Sequence, residues 1–170
     1  MKRLSLALLA ATGICQPALA DFTFTYTGKR LTNTNLPYCQ TYTCYETAKI
    51  SAKGKPADYY IPGTTTLSIP NPSSWSMCLN GPSGQITCLS NQTPGLQTIP
   101  LVFVANQGNT LNNALAQWHM YVDFSTGQQA RTDFGQVDGY NGGTGQDFFY
   151  MNPPYVADTG TPGIWTYQTQ

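Results

Sequence analysis

Charge is what this chain has least of: of 170 residues, 8 are Lys or Arg and 8 are Asp or Glu, so 9% is charged where an average soluble protein carries about 25%. Net charge zero with no basic cluster argues against nucleic acid and against anionic lipid, whose phosphates need concentrated cations. Histidine occurs once, at His119, and glutamate once, at Glu46, far from it in the chain. His-Glu-x-x-His metalloprotease chemistry is thereby excluded. No Gly-x-Ser-x-Gly elbow supplies a serine nucleophile, and neither CxxC spacing nor clustered histidines point to zinc. No window shows convincing helical periodicity. What remains is 41% hydrophobic and 12% aromatic, with 11 Tyr, too much apolar matter for the high-charge type of disorder. The chain should fold.

Met1-Lys2-Arg3 gives a positive start, 4–15 an apolar stretch, and Gln16-Pro17-Ala18-Leu19-Ala20 an exit with small residues in the cleavage pattern. This reads as a secretory signal peptide over 1–20, cut after Ala20, with one domain over 21–170. The apolar run is too short for a bilayer span of about 20 residues, so no membrane span is expected in the mature chain. Ile14 before Cys15 does not suit a lipoprotein signal.

Residues 1–20 hold two of the eight basic residues and one of the five cysteines, which leaves 150 residues and four cysteines. An even count in an exported chain reads as disulfides. Short loops favour Cys39 with Cys44 and Cys78 with Cys88. Between the second pair, Asn80-Gly81-Pro82-Ser83-Gly84 places turn formers midway, so a hairpin centred near Ser83 would set the two cysteines opposite each other.

Period-2 alternation recurs along the mature chain, the mark of half-buried strands. Phe22, Phe24 and Tyr26 share one face of the first strand and Thr23, Thr25 and Thr27 the other. Further strands are predicted over 46–51, 64–69, 74–79, 85–89, 101–104, 115–124, 129–134, 147–151 and 164–167, separated by Gly, Pro, Asn and Ser clusters. Ten short strands in 150 residues fit one all-β domain, an antiparallel two-sheet sandwich with a β-barrel as the alternative. The clearest hairpin joins 115–124 to 129–134 through Ser125-Thr126-Gly127-Gln128. Ala116, Trp118, Met120, Val122 and Phe124 face its core, and His119, Tyr121 and Asp123 face out.

His119 and Asp123 share a face but stand four residues, roughly 13 Å, apart, which forbids a dyad. His119 is accordingly expected to be a surface residue. An aspartate pair could serve a glycosidase whatever its sequence spacing, with Asp123, Asp133 and Asp138 as candidates. The segment from Asp138 to Asp147 mixes oxygen donors with glycines, and Asp138, Asn141 and Asp147 are candidate ligands for Ca2+, without the EF-hand spacing. Trp75 and Trp165 are candidate sugar-stacking aromatics if exposed, with a core role as the plainer assignment for each.

Phe22-Thr23-Phe24-Thr25-Tyr26-Thr27-Gly28 resembles the Phe-x-Phe-x-Tyr-Thr-Gly opening of a group of small exported bacterial proteins, many with a PEP-CTERM sorting tail. Asp158-Thr159-Gly160-Thr161-Pro162-Gly163-Ile164-Trp165-Thr166 is similar to their Asn-x-Pro-Gly-Thr-Trp-Thr close, and the Trp118 strand stands where they have Ile-x-x-Trp. The resemblance implies a β-sandwich-like domain with no assigned activity, hence no catalytic residues. The Pro-Glu-Pro motif, apolar helix and basic tail are not in this sequence, and its four mature cysteines depart from the group. The expected function is that of a secreted, periplasmic or extracellular, non-enzymatic protein that contacts an extracellular polysaccharide or a surface protein. A carbohydrate-binding module using exposed aromatics is the second expectation, and a hydrolase with an aspartate pair the third.

Overall fold

The computed structural model describes residues 21–64, 66–98, 101–104, 117–134, 136–137, 140–141, 146–151, 154–159 and 163–169. The strands are β1 Phe22–Arg30, β2 Asn33–Thr34, β3 Tyr45–Ala52, β4 Thr66–Ser68, β5 Ser74–Gly81, β6 Gly84–Ser90, β7 Leu96–Thr98 and β8 Leu101–Val104. They continue with β9 Gln117–Phe124, β10 Gln129–Phe134, β11 Gln136–Val137, β12 Tyr140–Asn141, β13 Gln146–Tyr150, β14 Tyr155–Thr159 and β15 Ile164–Thr169. A five-residue helix α1, Pro37–Thr41, and one 3-10 turn, Pro56–Tyr59, complete the described elements.

Two antiparallel sheets carry the fold, ordered β15-β1-β3-β5-β6 and β2-β14-β13-β10-β9-β8-β4, with β7 also on β9. Neither order closes on itself, so the sandwich and not the barrel is the architecture. Alternation builds each sheet's inner face. In the first sheet Phe22, Phe24 and Tyr26 point inward with Ala48, Ile50, Ala52, Trp75, Met77 and Leu79, and all are buried. The second sheet answers with Trp118, Met120, Val122, Phe124, Ala130, Phe149 and Val156. Rings meet across the layers, Tyr26 against Trp118 with centroids 5.8 Å apart and Trp75 against Phe124 at 6.4 Å. Burying one such aromatic stabilises by about 1.5–3 kcal/mol through area alone.

Both predicted disulfides are present, with Cα–Cα distances of 5.3 Å for Cys39–Cys44 and 4.1 Å for Cys78–Cys88. The second pair lies directly opposite in the β5–β6 register, and Gly81 pairs with Gly84 around Pro82-Ser83. Gly84 has φ +110°, a backbone conformation that needs no Cβ, which is why that turn closes there. Disulfides of this kind belong to a non-reducing compartment. Among the described residues no helix is long and apolar enough to cross a membrane.

Candidate functional site

The inner faces carry a polar cluster that alternation brings together from both sheets. Tyr26 of β1 is fully buried, and its hydroxyl donates to the Asp147 carboxylate of β13, 2.8 Å from Oδ1 and 2.9 Å from Oδ2. The same oxygen accepts the Gly163 N–H at 2.8 Å and a bond from the Thr132 hydroxyl. Thr132 in turn accepts the Trp118 indole N–H at 3.0 Å. Burial first, then the Asp147 charge, raises the Tyr26 phenol far above its usual range, so it stays protonated. Gly28 makes room for this arrangement: a Cβ there would stand 2.5 Å from Asp147 Oδ2 and 2.9 Å from the Glu46 carbonyl. The β1–β3 register shifts between Thr27 and Arg30, around that glycine. Glu46 is itself fully buried, on the inward face of β3 with Ala48, Ile50 and Ala52. Donor and acceptor capacity at Tyr26 is used inside the protein, and the cluster ties the two sheets together.

Several expected site residues take other places. Trp75 and Trp165 are each only 3% exposed. Each leaves no open face for a sugar ring, because the first packs on Phe124 and the second on Tyr26 at 5.1 Å. Asp147 is not in a glycine-rich loop but in the core, where it accepts from Tyr26. Asp138 lies outside the described residues, and Asn141 is fixed only as the backbone partner of Gln136 in β11–β12. Among the described residues no group of three His, Cys, Asp or Glu is placed to hold a metal. His119 is on the outward side of β9 as expected, yet is only 6% exposed, which corrects its assignment as a surface residue. Its strand is central, with β8 and β10 on its two sides, and the short β11 also contacts β9.

The β9–β10 register also places two of the candidate aspartates. Asp133 stands opposite His119 and Asp123 opposite Gln129. Along the strands the backbones of the two are therefore roughly 13 Å apart.

The outer faces of the two sheets differ in kind. On the first, outward positions are mostly small and polar, among them Thr25 and Thr27 of β1, Thr47, Lys49 and Ser51 of β3, Ser74 and Ser76 of β5, and Thr166 and Gln168 of β15, with Tyr45 of β3 and the exposed Ile164 of β15 as single exceptions. These are what a water-facing antiparallel sheet is expected to show. On the second, the cross-strand rows read Tyr121–Arg131–Phe148 and Asp123–Gln129–Tyr150 over β9, β10 and β13. All six side chains are half-buried. Phe148 and Tyr150 lie parallel to within 10°, centroids 6.0 Å apart, and Gln129 donates to Asp123 Oδ1 at 3.3 Å. Tyr121 feels both charges: burial and the Asp123 carboxylate raise its phenol, and the Arg131 guanidinium opposes them.

This face escaped the sequence reading, although Phe148-Phe149-Tyr150 carried a signal. Three successive aromatics in a strand must put rings on both faces. Comparison with protein families, curated proteins and solved structures gives no match to this chain.

Proposed function

We propose that this chain is an exported binding protein without catalytic activity, and that its working surface is the outer face of β9, β10 and β13. One observation carries the reading. In a sandwich whose other outer face is mainly small and polar, with Tyr45 and Ile164 standing singly on it, this one spends three aromatic rings, an arginine, a glutamine and an aspartate on six neighbouring positions. Solvation asks for no rings there, and amphipathic aromatics beside planar polar groups are the usual material of recognition surfaces. Export rests on the signal-like pattern of residues 1–20 and on the two disulfides. The partner class is an extracellular polysaccharide or a surface protein. The aspartate hydrolase has no comparable support.

Labelled exported protein applied to the cells that export it tests the reading. Retention should fall by about tenfold, the loss of one good contact, in Phe148→Ala and in Arg131→Ala, with melting curves close to those of the parent. Unchanged retention in both variants would overturn it.

A further inference from the structure

We infer that the outer face of β9, β10 and β13 takes a neutral polysaccharide chain, an inference that rests on the binding face proposed above. Its first support is shape and order. Phe148 and Tyr150 occupy successive outward positions of one strand, with parallel rings 6.0 Å apart, so apolar contacts repeat along a line. A linear polymer of sugar rings fits such a line, since the C–H groups of pyranoses pack on aromatic rings. The second is the polar complement. Register seats Arg131 between Tyr121 and Phe148, and Gln129 between Asp123 and Tyr150. Guanidinium, amide and carboxylate are planar groups with paired donors or acceptors, suited to neighbouring hydroxyls on a sugar.

Charge separates this ligand from its rivals. The six residues hold one cation and one anion, and both act on the Tyr121 hydroxyl. A polyanion such as a uronate chain or a nucleic acid would need a surplus of cations, which neither this face nor the whole chain, with 8 basic and 8 acidic residues, has. A protein partner is disfavoured by the lack of a strongly exposed apolar centre. The large exposed apolar side chains among the described residues are Tyr42, Ile61, Ile86 and Ile164, none of them on β9, β10 or β13, whereas protein interfaces concentrate apolar residues at their core.

The exported full chain is run in native gels containing dextran, galactomannan, xyloglucan or alginate, and the affinity for any retarding polymer is measured by calorimetry. Retardation by at least one neutral polymer is expected, little changed by salt because few charges are exchanged. Phe148→Ala and Tyr150→Ala should each weaken binding about tenfold, Phe148→Tyr should restore it, and Thr166→Ala on the opposite sheet should leave it unchanged. Binding to alginate alone, abolished by salt, would overturn the neutral class. If no polymer retards the chain while retention on cells still depends on Phe148 and Arg131, the polysaccharide inference falls and the binding face stands. If neither gels nor cells respond to the substitutions, both fall.

Discussion

Tyr26 shows how one side chain can be both core and crosslink. Its ring packs on Trp118 and Trp165, and its hydroxyl joins β1 to Asp147 of β13 and to Gly163 ahead of β15. Replacing it with Phe keeps the ring and leaves Asp147 without this donor, for which about 1–3 kcal/mol of stability at neutral pH is expected to be lost. The phenol also sets an alkaline limit. An unfolded chain gives up the Tyr26 proton near the ordinary value of 10.0 while the folded chain keeps it, so stability present below that pH declines as pH rises beyond it. Urea melts at neutral pH and above pH 10 should show a steeper alkaline loss for the parent than for Tyr26→Phe. Equal slopes would show that the buried phenol does not contribute; a smaller slope from Tyr121 and Tyr167, both also raised by burial, remains in the variant. Trp118 and His119 were expected to differ as core and surface. Trp118 is buried and donates to Thr132, so Trp118→Ala should cost about 3–5 kcal/mol in thermal melts. With His119 only 6% exposed, His119→Ala should cost more than the roughly 0.5 kcal/mol of a surface change and still less than the tryptophan.

Elements were legible in proportion to how local their causes are. The β9–β10 hairpin appears where Trp118, Met120, Val122 and Phe124 alternate with polar residues, and Gly127 takes φ +81° in its turn. The β5–β6 hairpin follows from the turn formers between Cys78 and Cys88. By contrast β2, β7, β11, β12 and β14 escaped notice. Asn33–Thr34 and Leu96–Thr98 are too short to show a period, and they exist because β14 and β9 offer them edges. The two disulfides allow a test of which force dominates. Loop entropy favours the Cys78–Cys88 bridge, whose separation of 10 is twice the 5 of Cys39–Cys44, by only about 0.6 kcal/mol. Cys39 and Cys44 are buried while Cys78 and Cys88 are half-buried, and each serine hydroxyl placed in the core costs about 1–3 kcal/mol. The Cys39→Ser, Cys44→Ser double variant should therefore melt lower than Cys78→Ser, Cys88→Ser. The reverse order would mean that loop closure outweighs burial here.

For the whole molecule, the signal-like start predicts an exported chain whose first residue is Asp21, to be read by intact mass and N-terminal sequencing. A retained Met1, or a lipid on Cys15, would contradict it. What the sequence determined by itself was the all-β class, the inward sets of β1 and β9, and both cysteine pairs, because alternation and turn chemistry act over a few neighbouring residues. Tertiary structure decided the rest. It placed Glu46 and Asp147 inside, where alternation with Ala48 and Phe149 hinted at burial, but the Tyr26 hydroxyl that bonds Asp147 comes from the other sheet. It also buried Trp75, Trp165 and His119, and it aligned Tyr121, Arg131 and Phe148 in one row. Exposure and cross-strand neighbours depend on which strands pair and in what register, and those choices are made by contacts between residues far apart in the chain.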